Sequence, residues 1–119
     1  MALARLNERI SQMLNSGQVA PGQIAVLSGT GDALTALGER IAGKPTCRAD
    51  DVRPDHIVLD TVRRFKGLSR PCIFLIGVEG LTDPELIYVA TSRANVLLEI
   101  IGTAEDIARL KQEVAAAGS

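Results

Sequence analysis

The side chains best suited to handle a phosphate group gather in two short blocks of this chain. The first runs Asp60-Thr61-Val62-Arg63-Arg64-Phe65-Lys66-Gly67-Leu68 and the second Leu86-Ile87-Tyr88-Val89-Ala90-Thr91-Ser92-Arg93-Ala94. Phosphoryl transfer asks for fixed positive charge beside the migrating group, because charge develops on its oxygens as the bond to the leaving group breaks. Arg93 falls near the end of an expected helix, where its guanidinium can reach out of a domain across a cleft. It can equally well complement the negative end of the helix dipole. In the first block Thr61 offers a hydroxyl, Lys66 an ammonium, and Gly67 a missing side chain that permits close backbone approach to a ligand. The same residues also suit a surface turn with scattered cations.

Arg63, Arg64, Lys66 and Arg70 form the only dense basic cluster in the chain. Three readings of it stay open: a track for the phosphates of single-stranded DNA, a contact on a nucleotide, or a solvated face. Phe65 is the one ring inside the cluster, and it serves a core as well as it serves base stacking. Tyr88 either packs or hydrogen-bonds beside Arg93, and packing is the favoured expectation. His56, the only histidine, has no Ser or Cys at a motif-like position and reads as a solvated loop residue. Cys47 and Cys72 lack a CxxC pair or a His at ligand spacing, so they are expected as free buried thiols rather than a disulfide or a metal site.

These groups need a scaffold, and at 119 residues the chain is long enough for one domain, spanning 1–119, and too short for two. With 46% hydrophobic residues, 3% aromatic and no Trp, its core must be built from Leu, Ile, Val and Ala packed between layers. Thirteen basic against 14 acidic residues give a net charge of −1, so any contact with DNA must be local rather than a whole-domain basic footprint. The opening MALARLNERI lacks the apolar core of a signal peptide. No stretch approaches the roughly 20 apolar residues needed to span a bilayer. A soluble cytoplasmic protein without a membrane partner is the expectation.

Leu3, Leu6, Ile10, Met13 and Leu14 recur at helical spacing before Gly17, which predicts an amphipathic helix over residues 2–16. Ile24-Ala25-Val26-Leu27 reads as a buried strand. Leu34, Leu37 and Ile41 mark a second helix, stopped by Gly43 and Pro45. Asp50 to Asp55 reads as a loop, Ile57 to Thr61 as a strand that delivers the first block, and Pro71 to Ile76 as a central strand. Thr82-Asp83-Pro84-Glu85 offers an N-cap candidate, a first-turn Pro and a Glu at capping-box spacing, opening a helix to about Ala94. Val96 to Ile101 is the last strand. Thr103 opens a final helix with Ile107, Leu110 and Val114 on one face. Strands alternating with helices predict an α/β fold: three layers, αβα, around a mainly parallel sheet, with ligands at the carboxyl ends of the strands.

Taken together, the two blocks resemble the last two motifs of UvrD-type superfamily 1 helicases. The resemblance covers approximately residues 20–103. It implies a second RecA-like domain, a P-loop NTPase fold lacking the P-loop. The domain's core would take in approximately residues 20–116, with 1–16 as a lead-in helix or the tail of an inserted domain. In that family the Arg matching Arg93 contacts the γ-phosphate as an arginine finger, so the resemblance gives Arg93 a catalytic role. The family's earlier motif reads Thr, hydrophobic, His, two variable positions, then Lys-Gly-Leu-Glu, and couples the nucleotide site to single-stranded DNA. Thr61, Val62, Lys66, Gly67 and Leu68 match it. The resemblance places Lys66, Gly67, Leu68, Ser69 and Tyr88 on the nucleotide side and Thr61, Arg63 and Arg64 on the nucleic-acid side.

Two positions depart from the family's pattern. Arg63 stands where His is common, and its forked donors can still meet a phosphate or a base. Ser69 stands where a Glu accepts from the nucleotide ribose; a hydroxyl gives only a weaker, neutral hydrogen bond there. Ile24 to Asp32 resembles the strand and loop that open this domain in the family. A dinucleotide-binding turn at Gly29-Thr30-Gly31 is the rival, but Leu34 occupies the place of the third small residue and no ribose-binding acid follows on a second strand.

An ATPase also needs a G-x-x-x-x-G-K-[ST] loop and an acidic pair for magnesium. No Gly-Lys-Ser or Gly-Lys-Thr occurs here; Lys44 follows Gly43 but Pro45 comes next. ATP with magnesium is therefore expected to be shared with a P-loop domain earlier in the same polypeptide, and this chain by itself is not expected to hydrolyse it. Two alternatives remain: a helicase-derived regulatory or protein-binding module, favoured by Ser69, and a small nucleotide-binding protein, favoured only by Gly29-Thr30-Gly31.

Overall fold

The computed structural model describes residues 2–29, 31, 40–78, 81–92 and 94–117. Helix α1 (Ala2–Asn15) and a 3-10 turn (Pro21–Gln23) precede β1 (Ile24–Ser28). Then come β2 (Arg40–Ile41), β3 (Lys44–Cys47), β4 (Ile57–Thr61) and β5 (Arg70–Ile76), followed by α2 (Pro84–Ser92), β6 (Ala94–Ile100) and α3 (Ala104–Ala117). The protein is α/β, with one six-stranded sheet in the order β2-β3-β4-β1-β5-β6. Every described pairing is parallel except that of β2 with β3.

β1, with all five residues buried, lies at the centre between β4 and β5. The period-2 alternation of a strand sends Ile24 and Val26 to one face and Ala25 and Leu27 to the other. Leu6, Ile10 and Met13 of α1 pack on the first face with Ile57, Leu59, Cys72 and Phe74. Ile87, Val89 and Ala90 of α2 and Leu110 of α3 pack on the second with Val58, Ile73 and Leu75. Helices thus cover both faces, and the three- and four-residue spacing of Leu6, Ile10 and Met13 gives α1 the stripe that seats it. Arg9 fixes α1 to the sheet margin, its Nε donating to both Glu99 carboxylate oxygens at 3.0 and 3.1 Å. Among the described residues no helix is long and apolar enough to cross a membrane.

Three expectations need correction. Leu34 and Leu37, read as one helix with Ile41, lie outside the described residues, but Ile41 itself is in β2, in register with Lys44. Ala42 and Gly43, with φ of 53° and 80°, make the two-residue turn of a β2–β3 hairpin. That positive-φ pair twists with the strands, and Asn7 Oδ1 accepts the Ala42 N–H at 2.8 Å. Gly43 therefore turns a hairpin instead of ending a helix. The helix expected to run to Ala94 ends at Ser92, and Ala94 already pairs in β6. Its cap is Asp83, not Thr82. Asp83 Oδ1 accepts the Glu85 N–H at 2.9 Å and the Asp83 carbonyl accepts from Ile87 at 3.0 Å. Pro84 thereby becomes the first helical residue, where its missing N–H costs nothing.

Candidate functional site

The first block is a crossover. β4 and β5 lie on opposite sides of β1, with Thr61 level with Ser28 and Cys72 level with Ile24. Residues 62–69 must therefore descend at least the height of β1, roughly 13 Å at about 3.3 Å per residue, with no full helix to carry them. They do so in successive tight turns: the Phe65 N–H donates to Thr61 and Val62 carbonyls at 3.2 Å, and the Leu68 N–H to the Phe65 carbonyl at 3.0 Å. Val62 and Phe65, 1% and 0% exposed, anchor the turns in the core beneath α2. Phe65 is a core residue and offers no face for base stacking. Burying such a ring stabilises the crossover by about 1.5–3 kcal/mol.

α2 descends the same face, so the two blocks run side by side from the carboxyl end of the sheet to the amino end. Lys66 links them, its Nζ donating to Glu85 Oε1 at 3.1 Å. Both side chains of that pair are mostly exposed, 60% and 70%, which limits its worth to about 1 kcal/mol or less. Gly67 has φ +91°, and a Cβ there would meet no atom within 4 Å. The left-handed turn, rather than a tight approach by neighbouring protein, is what calls for glycine at this position.

At the carboxyl end a cleft of about 390 Å³ is lined by Ser28, Gly29, Thr61, Val62, Arg63, Leu81, Thr82, Asp83 and Leu86. It lies at the ends of β1 and β4, where parallel sheets bind ligands. Arg63 is exposed at its rim; its carbonyl accepts the Lys66 N–H at 3.4 Å, and its guanidinium has no hydrogen-bond or ion-pair partner among the described residues. Arg64 is committed: its Nη2 donates to Asp50 Oδ2 at 3.0 Å, and its Nε lies 3.8 Å from Asp60 Oδ2. Thr61 Oγ1 accepts the Arg64 N–H at 3.3 Å. The cleft brings together an unpaired guanidinium, the hydroxyls of Thr61 and Thr82, and apolar walls at Val62, Leu81 and Leu86. That arrangement is suited to an anion carried on an apolar or aromatic group, with the Asp83 carboxylate as the one acidic side chain among the described lining residues.

The remaining candidates lie elsewhere. Ser69 and Arg70 reach the amino end of the sheet, where Arg70 pairs with Ala94. Arg93 lies outside the described residues. Leu68 is half-buried against the core. Tyr88, expected to pack, is 61% exposed on α2, because Ile87, Val89 and Ala90 fill the face toward the sheet. Only the first residues of the two blocks lie at the carboxyl ends of the strands; their last residues lie at the amino end.

Asp60, the first residue of the first block, has a structural part that the block's chemistry does not suggest. It is 1% exposed; Oδ1 accepts the Thr61 N–H at 2.8 Å and Oδ2 the Ala49 N–H at 3.0 Å. It ties residues 48–51 to the end of β4 and so fixes where Thr61 and Arg64 emerge. A lone carboxylate closing the apolar run Ile57-Val58-Leu59 was the available signal. Gly29 has a packing reason, since a Cβ there would lie 2.6 Å from the Gly77 carbonyl oxygen. Its smallness therefore needs no dinucleotide to explain it. Cys47 and Cys72 are free and buried, in the packing clusters on opposite faces of the sheet. His56 Nδ1 lies 2.7 Å from the Pro54 carbonyl oxygen in the 48–56 loop.

No protein-family model matches this chain, and a search of curated proteins finds no match either.

Proposed function

We propose that this chain is the second RecA-like half of a UvrD-type helicase or translocase motor, acting on single-stranded DNA. What supports the reading is the path of one segment: residues 62–69 start at the carboxyl-end cleft beside Arg63 and finish at the amino end beside Ala94. A rigid, core-anchored crossover that touches two separate places is suited to couple them. In this mechanism Arg93 meets the γ-phosphate of ATP held with magnesium by a preceding P-loop domain. Lys66 to Ser69 and Tyr88 flank the nucleotide. Thr61, Arg63 and Arg64 hold the DNA backbone, and closure of the two domains shifts that grip by a step.

The test is Arg93→Ala in the complete polypeptide that carries a Gly-Lys-Ser/Thr loop. DNA-stimulated ATP turnover is expected to fall about 10³-fold or more, as loss of an arginine finger does. Near-normal turnover would overturn the assignment.

A second reading, a helicase-derived binding module, rests on Ser69. It is exposed and brings one neutral hydroxyl where a carboxylate would hold a ribose, while its carbonyl accepts from Arg70 Nη1 at 2.6 Å. A reading frame around this chain with no P-loop at all would favour that module.

A further inference from the structure

One wall of the cleft is held from behind by a helix that neither block includes. Arg109 of α3 sends Nη1 to the Leu81 carbonyl and Nη2 to the Val78 carbonyl, each at 2.8 Å. Its side chain is 34% exposed and Nη2 lies 3.8 Å from Asp106 Oδ1. Asp106 is fixed in turn by the start of α3, accepting from Thr103 Oγ1 at 2.9 Å while its own N–H donates to that oxygen at 3.1 Å. Val78 and Leu81 lie within the connection from β5 to α2, whose last residues Leu81, Thr82 and Asp83 line the cleft.

The described ends of that connection are closely packed. Against β1, a Cβ on Gly29 would lie 2.6 Å from the Gly77 oxygen and 3.1 Å from Leu81. Against the entry to α3, a Cβ on Gly102 would lie 2.6 Å from Val78 Cγ2. The planar guanidinium fork is preset to reach both carbonyls; a lysine ammonium has three donors but no fixed fork to hold the two together.

We infer that Arg109 is a positioning residue for the cleft: through it α3 holds Leu81 to Asp83 and the start of α2 against Ser28 and Gly29, setting the width available to a ligand. The inference rests on the reading above only in naming single-stranded DNA as the occupant.

The experiment compares Arg109→Gln, Arg109→Lys and the control Arg9→Gln in the 119-residue chain. Arg9 also makes two guanidinium hydrogen bonds from a helix, but on the other face of the sheet. Amide exchange at Leu81, Glu85 and Ile87, whose N–H groups are hydrogen-bonded within or onto this connection, is expected to quicken at least about tenfold in Arg109→Gln, because local opening no longer breaks the Arg109 bonds. Affinity for a labelled oligothymidylate is expected to fall about tenfold, with Arg109→Lys intermediate. Arg9→Gln is expected to lower the melting temperature yet leave both readouts at the wild-type value. Unchanged exchange in Arg109→Gln, or equal changes in Arg9→Gln, would overturn the inference. If the wild-type chain does not bind oligothymidylate, the DNA reading fails and the exchange data alone decide the role of Arg109.

Discussion

Arg70 and Ala94 are register partners across β5 and β6. Arg70 follows the end of the crossover and Ala94 follows Arg93 in sequence, so the two blocks, which start together at the cleft, also finish together at the opposite end of the sheet. The register slips by one residue between Arg70 and Cys72, leaving two residues of β6 against one of β5. Such a bulge twists a sheet margin and re-aims its side chains; Val96, within it, is 81% exposed.

The same place holds an uncompensated donor. Arg70 Nε is buried with no hydrogen-bond partner among the described residues, a condition that costs about 1–3 kcal/mol. Arg70→Met keeps the apolar stem and removes that donor, so urea unfolding is expected to show stability unchanged or raised by about 1 kcal/mol. A clear loss of stability would mean that the guanidinium is satisfied in solution.

Two glycines are expected to fail differently. At Gly29 an added methyl meets a backbone oxygen that cannot swing away, so Gly29→Ala should cost about 3 kcal/mol, the upper end for overpacking. At Gly67 only the positive φ is at stake, and Gly67→Ala should cost about 1–2 kcal/mol. Urea midpoints at constant m-value compare them directly; equal costs would mean that the Gly29 contact relaxes.

The difference between these sites reflects what a sequence can disclose. β1, β4 and β5 were legible because buried parallel strands are unbroken apolar runs, and α1 because Leu6, Ile10 and Met13 keep helical spacing. The β2–β3 hairpin was hidden because Lys44-Pro45-Thr46-Cys47 has no alternation and Ile41 happens to continue the spacing of Leu34 and Leu37. Arg63 could be placed just beyond the end of β4 from the block it belongs to. The burial of Phe65 could not, since it depends on the chain crossing the face of the sheet within eight residues, a tertiary fact without a periodic signature. Arg109 has no signal in the sequence, because its partners are backbone carbonyls some 30 residues away.

Burial pushes the Cys72 thiol above its usual value of 9.0, since desolvation disfavours the thiolate. Above about pH 9 the unfolded chain releases this proton while the folded chain keeps it, so the unfolded state binds fewer protons and stability falls as pH rises. Wild-type stability is therefore expected to drop more steeply than that of Cys72→Ala from about pH 9 upward, although the variant is less stable at pH 7 for want of the buried sulfur. Parallel curves in denaturant titrations at increasing pH would exclude the effect.

Arg63 and Arg64 are adjacent in sequence and opposite in circumstance. The Arg63 guanidinium stands at the cleft rim with no partner among the described residues, whereas Arg64 bonds Asp50 at 3.0 Å and approaches the buried Asp60. If single-stranded DNA runs through the cleft, Arg63→Ala should weaken oligothymidylate binding about tenfold and reduce the slope of log affinity against log salt by about 0.7, the loss of one phosphate contact. Arg64→Ala should reduce that slope less, because any phosphate must first compete with Asp50 and Asp60, and should cost the fold about 1 kcal/mol instead. Fluorescence anisotropy over a salt series separates the two. Equal slopes for both variants would show that the cleft does not distinguish the free guanidinium from the paired one.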